Sequence, residues 1–176
     1  MYSDASLGTG PKGRSPIAVV SKLNPVSGAI SASTSAGQSP YLSSFECEMD
    51  GVTKNFKTQN RLKNILDEFD IQYIYDSMGL SNKYNQKGQS YSDNEAMINF
   101  IKGDAITKGI RHMELRLWYT RDEYKKGKFY LDHMPGADIP ADPCTKPTCV
   151  TAFRKHTIDI MGLKLTGENY FPKKEN

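Results

Sequence analysis

The stretch "PIAVVSKLNPVSGAISASTS" (residues 16–35) decides the fold class, because it joins two strand-like runs and leads into a helical pattern. Residues 16–23 are apolar and β-branched, residues 28–35 alternate, and "NPVS" between them supplies a turn, which together predict a β-hairpin. Beyond the hairpin, apolar residues fall at helical spacing across residues 46–69 and predict a long helix.

Strand and helix patterns alternate outward from this hairpin. A short strand is expected to end near Asp4, and a weaker strand is expected at "PYLSS" (40–44). Residues 70–89 have no steady period and predict a loop, with room for a strand in "QYIY". The remaining predicted elements are a helix over 94–102, a helix over 108–126, a strand over 128–134 and a helix over 148–161. Thr148 is the expected cap of the last helix, Gly162 its expected end, and Val150, Phe153, Ile160 and Met161 its apolar stripe. This order predicts one α/β domain on a mixed sheet.

Composition restricts the classes of protein to consider. A chain of 176 residues suits a single domain over 1–176, with residues 164–176 expected to form a flexible tail. No apolar run is long enough to span a membrane, and a net charge of +3 permits a nucleic-acid partner without requiring one. The three cysteines lack zinc-site spacing and are interpreted as reduced thiols of an intracellular protein.

Acidic residues stand at several predicted element ends. The tripeptide Tyr-Ser-Asp occurs twice, ending at Asp4 and at Asp93, but an internal repeat is excluded because the first copy leads into a hairpin and the second into a helix. Two explanations of the repeated tripeptide remain open. It is a chance occurrence, or it places two carboxylates at the ends of neighbouring strands. Glu48 opens the long helix, and Asp142 precedes the last one. Four converging carboxylates would repel unless they held a pair of Mg²⁺ ions, the standard clamp for attack on a phosphodiester. The alternative is that these are solvated surface charges.

Five stretches carry a resemblance to a known family. They are "YSDAS" (2–6), "LSSFECEMDGV" (42–52), "YSDNEAMINFI" (91–101), "KGIRHMELRLWYTRDEYKKGKFYLDHMPGADIPADPCTKP" (108–147) and "FRKHTIDIMGL" (153–163). In this order they resemble the ribonuclease H domain of copia-type LTR retrotransposon polyproteins, which lies C-terminal to reverse transcriptase. The resemblance covers nearly the whole chain, and its most specific part is the "KGKFYLDHMP" strand with the "AD…TKP" sequence after it.

The resemblance implies a ribonuclease H-like fold, in which helices pack on the faces of a mixed five-stranded sheet. It also implies an endonuclease that cuts the RNA strand of RNA–DNA hybrids with two Mg²⁺ ions, or with Mn²⁺ in their place. By matching position, Asp4 resembles the carboxylate that bridges both metals, and Glu48 and Asp93 resemble ligands of the second metal. Asp142 resembles the ligand of the metal that activates the attacking water.

Further implications concern partners and location. The expected partners are an RNA–DNA hybrid and an associated reverse transcriptase domain, without a membrane, in a cytoplasmic virus-like particle or the nucleus. Basic residues that could contact phosphates are Lys54, Lys57, Arg61, Arg111 and Arg116, and the alternative for each is a plain surface charge.

Two features depart from the family pattern. Only Met1, Tyr2 and Ser3 precede Asp4, so the first strand is short. Pro143 follows Asp142, which suits a helix that begins near Asp142 and would break one that begins near Asp138. These departures keep two other hypotheses open: an inactive ribonuclease H-like module that binds nucleic acid or supports a reverse transcriptase, and a fragment without independent stability.

Overall fold

The computed structural model describes residues 1–23, 27–37, 40–69, 88–103 and 114–163. Outside these ranges lie residues 24–26 of the predicted turn "NPVS" (24–27), the strand suggested in "QYIY", the first residues of the 108–126 helix including Arg111, and the tail expected from 164 onward. All statements about structure below concern the described residues.

The domain is α/β, with a mixed five-stranded sheet and helices packed against it. The strands are β1 (Tyr2–Ala5), β2 (Pro16–Lys22), β3 (Ala29–Ala36), β4 (Gly88–Ser92) and β5 (Phe129–His133). The helices are α1 (Ser44–Glu68), α2 (Glu95–Lys102), α3 (Glu114–Lys125) and α4 (Val150–Met161). The strand order is β3-β2-β1-β4-β5, antiparallel on the β2 side of β1 and parallel on the β4 side. The predicted class and mixed sheet are confirmed, and the architecture is consistent with a ribonuclease H-like fold.

Two apolar clusters hold the helices and turns against the sheet. The larger is formed by α1, α2, α3 and β5, and its buried members are Met49, Val52, Phe56, Met97, Ile98, Ile101, Leu117, Phe129 and Leu131. The smaller cluster joins β1 and β2 to the segment after β5, through Tyr2, Ala18, Val20, Ile139 and Ala141. Burial of apolar side chains in both clusters stabilises the domain and brings the segment around residue 140 to the end of β1.

The predicted strand at "PYLSS" (40–44) is wrong, because these residues lead into α1 instead. Ser43 is the N-cap, and its hydroxyl accepts a hydrogen bond from the backbone N–H of Glu46 at 3.3 Å. The Glu46 carboxylate accepts from the backbone N–H of Leu42 at 2.9 Å. These local bonds satisfy backbone donors of a helix start, so they favour a helix over an extended strand.

The last helix lies where it was predicted but buries a different face. Cys149, and not Thr148, occupies the N-cap position. Val150, Phe153 and Met161 of the expected apolar stripe are exposed, whereas His156 is buried. The stripe prediction was wrong for these three residues, because helical spacing alone does not say which side of a helix the rest of the chain will cover. Ile160, the fourth member of the stripe, is partly buried and packs against the smaller cluster.

Gly162 ends α4 as predicted, and its conformation requires glycine. Its φ is +66°, and a Cβ there would lie 2.5 Å from the backbone nitrogen of Gly28. We expect Gly162→Ala to lower the free energy of unfolding by about 1–2 kcal/mol, from left-handed strain together with this backbone clash. Chemical denaturation measures the change.

Gly13 offers the matched control for this prediction. Its φ is +69°, but a Cβ there would meet no described atom within 4 Å. Gly13→Ala should therefore lower the free energy of unfolding only through left-handed backbone strain. The additional loss of stability in Gly162→Ala then measures the close packing of the end of α4 against the start of β3. Equal costs would mean that the close approach of Gly28 contributes nothing.

Candidate metal centre

Two of the four candidate carboxylates are brought together by the parallel pairing of β1 and β4. Tyr2 pairs with Tyr91, so Asp4 and Asp93 each lie two residues farther along and reach the same edge of the sheet. Asp4 is within β1, and Asp93 directly follows β4. The carboxyl ends of adjacent parallel strands meet at one edge, which is why the chain places both aspartates there.

Glu48 completes an acidic triad with Asp4 and Asp93. It lies near the start of α1, and its Oε1 accepts a hydrogen bond from the backbone N–H of Ala5 at 3.3 Å. One carboxylate oxygen from each of the three residues lies within 4.8 Å of the other two. The hydrogen bond to Ala5 fixes the orientation of Glu48 relative to the end of β1.

Asp142 lies close to this acidic triad but is not a member of it. It begins a 3-10 turn (Asp142–Cys144) between β5 and α4, and its Oδ1 pairs with Lys146 Nζ at 2.5 Å. Pro143 takes the second position of this turn, where its missing N–H removes no helical hydrogen bond. Since α4 begins only at Val150, the proline does not break a helix.

Burial makes ionisation of Glu48 and Asp4 unfavourable. Burial raises the pKa of Glu48 to about 9, and the charges of Asp4 and Asp93 add to the effect. Burial also raises the pKa of Asp4 to about 6, with Thr145 and Lys146 opposing the rise and Asp93 and Asp142 adding to it. In the protein alone, Glu48 therefore keeps its proton at neutral pH, chiefly because a buried carboxyl group ionises unfavourably and also because Asp4 and Asp93 are close.

The donor set fits a divalent cation that prefers oxygen ligands. Glu48 is 5% exposed, and its Oε2 has no hydrogen-bond partner among the described residues. A buried carboxylate oxygen without a partner is costly unless something binds it. Three carboxylates with an unpartnered buried oxygen are ligands that Mg²⁺ and Mn²⁺ accept, with water and substrate oxygens in the remaining positions.

Gly136 lies against Asp93 and offers a way to disturb one ligand selectively. A Cβ at Gly136 would lie 2.9 Å from Asp93 Oδ2. We expect Gly136→Ala to rotate the Asp93 carboxylate, weakening Mn²⁺ binding severalfold while changing the melting temperature little, because the group that gives way is a side-chain end. Calorimetric titration and thermal melting of the same sample check both parts. Unchanged Mn²⁺ affinity would show that Asp93 Oδ2 does not contact the ion.

The basic residues proposed to contact phosphates differ in their exposure and in the contacts that they already make within the protein. Lys54 contacts Ser35 Oγ at 3.0 Å and Asp50 at 3.3 Å, and Arg116 lies 3.5 Å from the same Asp50. Lys57 Nζ lies 5.7 Å from the centre of the Tyr119 ring. Lys57 and Arg61 are exposed on α1, whereas Arg111 is outside the described residues.

Sequence reasoning missed three residues that matter here. Asp50, which also accepts a 2.5 Å hydrogen bond from Tyr41, is the ion-pair partner of Lys54 and Arg116. Thr145 and Lys146 contact Asp4 and Asp142, respectively. For Thr145 and Lys146 the available signal was the "TKP" part of the stretch "AD…TKP", which follows closely after Asp142 in the sequence.

Comparisons with protein-family models, with curated proteins and with solved structures find no match to this chain. Among the helices of the described residues, none combines the length and the apolar character that crossing a membrane would require.

Proposed function

We propose that this chain is a metal-dependent endonuclease that hydrolyses the RNA strand of RNA–DNA hybrids during retrotransposon reverse transcription. The single observation that carries the proposal is the acidic triad at the edge of the sheet, with a buried Glu48 oxygen that lacks a hydrogen-bond partner. The ordered resemblance to the copia-type ribonuclease H domain supplies the substrate class. A reverse transcriptase domain is the proposed associated partner, in a cytoplasmic virus-like particle or the nucleus.

Each carboxylate has a proposed task. Asp4, Glu48 and Asp93 would hold one divalent ion, and Asp142 would contribute to a second ion shared with Asp4. When bound, Mg²⁺ supplies positive charge that stabilises the added negative charge on the phosphate as water attacks it. Because its pKa is raised to about 9, Glu48 would have to lose a proton at neutral pH in order to act as a metal ligand. The hydrogen bond from the backbone N–H of Ala5 to Oε1 would keep the Glu48 side chain in place while it loses this proton.

Recognition of the substrate would rest on shape and charge. Only the RNA strand of a hybrid carries 2′-hydroxyl groups, so contacts across the minor groove distinguish it from the DNA strand. Exposed Lys57 and Arg61 on α1 are available for phosphates, and affinity from such contacts falls as salt rises.

An inactive ribonuclease H-like module that binds nucleic acid or supports a reverse transcriptase is the second candidate. The observation that favours it is the placement of Asp142, which pairs with Lys146 and does not belong to the acidic triad. An active two-metal site needs this carboxylate to be released, whereas an inactive module does not.

Cleavage of end-labelled nucleic acid by the purified chain in Mg²⁺ separates the candidates. We expect cutting of the RNA strand of a hybrid, none of double-stranded RNA or DNA, and complete loss with EDTA. Because water is the proposed nucleophile, the products should lack the 2′,3′-cyclic phosphate that attack by a 2′-hydroxyl leaves. A folded chain that binds the hybrid without cutting it would support the inactive module. Melting without a cooperative transition would support the unstable fragment.

A further inference from the structure

Two consecutive residues that follow the 3-10 turn, Thr145 and Lys146, contact acidic side chains of the site. The Thr145 hydroxyl donates to Asp4 Oδ2 and also lies 3.0 Å from the backbone oxygen of Asp142. Lys146 Nζ pairs with Asp142 Oδ1 at 2.5 Å. One buried hydroxyl and one ammonium therefore hold two carboxylates that the sequence separates widely.

The ammonium of Lys146 acts on the whole site. Its hydrogen bond to Asp142 raises the pKa of Lys146, and the charges of Asp4 and Asp93 add to that rise. Conversely, Lys146 is among the groups that oppose the raised pKa values of Asp4 and Glu48. A positive charge of the protein itself thus offsets part of the repulsion between the carboxylates.

A divalent cation from solution would compete with the Lys146 ammonium for the Asp142 carboxylate. Lys146 occupies the Asp142 oxygen that a divalent ion between Asp4 and Asp142 would need. Its side chain is 42% exposed on a flexible four-carbon stem, so it can turn out into water without unfolding the turn. The acidic triad carries no such direct pairing with a basic side chain among the described residues.

We propose that Lys146 is an internal counter-ion that holds Asp142 in the metal-free protein and must leave it before a second divalent cation binds. This inference rests on the proposed function only in that the carboxylates bind a divalent cation. It makes the two metal positions unequal, since the acidic triad binds first and Asp142 joins when Lys146 is displaced. The opposite role, a lysine that positions Asp142 for the metal, would give the opposite effect on affinity.

Calorimetric titration of the purified chain with Mn²⁺, without nucleic acid, tests the inference through Lys146→Met. We expect the weaker of two binding events to tighten about threefold to tenfold, the size of losing one partly exposed ion pair, and the tighter event to change less. In EDTA the variant should melt at a lower temperature than the wild type, because the carboxylates have lost their counter-ion. Lys146→Gln, which keeps a hydrogen-bond donor without the charge, should tighten binding in the same way.

Lys155→Met is the matched control. Lys155 Nζ pairs with Asp138 Oδ1 at 2.6 Å, a similar pair outside the acidic site, and its removal should leave Mn²⁺ binding unchanged. Unchanged or weaker binding by both Lys146 variants would overturn the inference. Failure of the wild type and both variants to bind Mn²⁺ would overturn it together with the proposed function. Tighter binding without any cleavage of a hybrid would overturn the proposed function alone.

Discussion

Asp93→Asn should lower the rate of RNA–DNA hybrid cleavage at least about a hundredfold, because charge stabilisation by a metal ion is worth several kcal/mol. Asparagine has nearly the same shape as aspartate but lacks its negative charge. Asp93 supplies one of the three oxygens that lie within 4.8 Å of one another, so the variant should weaken the binding of the ion that the proposed reaction needs. Initial rates of both proteins at one Mg²⁺ concentration, chosen below saturation of the wild type, measure the loss.

Asp132→Asn provides the control for this prediction. Asp132 lies in β5, neighbouring the strand that leads to Asp93, but it is exposed and pairs with Lys102 at 2.9 Å. Its replacement should leave the cleavage rate within about twofold, since exposed ion pairs contribute little. If Asp93→Asn cleaved at the wild-type rate, the acidic triad would not be the catalytic centre.

Glu48→Gln is expected to stabilise the metal-free protein while abolishing the proposed cleavage of RNA–DNA hybrids. The pKa of Glu48 is raised from its usual 4.5 to about 9, chiefly by burial. Between these values the unfolded chain releases a proton that the native state keeps, so the free energy of unfolding falls as pH rises. A neutral glutamine has no such proton to lose. At pH 7 the free energy of unfolding of the variant should therefore exceed that of the wild type by up to about 3 kcal/mol.

Urea unfolding in EDTA across pH 4 to 9 measures this gain. Below pH 4.5 both states of the wild type are protonated at Glu48, so the gain should vanish there, and it should grow as pH rises toward 9. Asp4 adds a smaller fall in wild-type stability between its usual pKa of 3.8 and about 6, and this fall should persist in the variant. Saturating Mg²⁺ should reverse the order by stabilising only the wild type. If the free energies of unfolding of the wild type and the variant changed in parallel with pH in EDTA, Glu48 would not be protonated in the native state.

The placement of the acidic triad could be anticipated from the sequence because it depends on element ends. Asp4 and Asp93 follow strand patterns, and parallel neighbours bring their carboxyl ends to one edge. Glu48 is near the start of a helix whose pattern is strong over residues 46–69, and the structure extends α1 over Ser44–Glu68. Regular elements follow from local periodicity, and side chains at their ends follow with them.

The details that escaped the sequence depend on tertiary packing. Pairing of Lys146 with Asp142 requires the 3-10 turn at Asp142–Cys144, which the pattern of residues did not distinguish from a helix start. The buried face of α4 also depends on tertiary packing. His156 is buried against the domain, whereas Phe153, which was expected to be buried, is exposed. At "PYLSS", the helix start depends on the hydrogen bond from Glu46 to the Ser43 side chain, which the strand prediction did not consider.

A crystal structure of the wild-type chain with Mn²⁺, with anomalous scattering used to locate the ion, tests the central claim most directly. We expect an anomalous peak within coordination distance of Asp4, Glu48 and Asp93, with the otherwise unpartnered Glu48 Oε2 among its ligands. At higher Mn²⁺ concentration, a second peak should lie between Asp4 and Asp142, with Lys146 turned away. Crystals that bind Mn²⁺ elsewhere and leave the acidic triad empty would contradict the account.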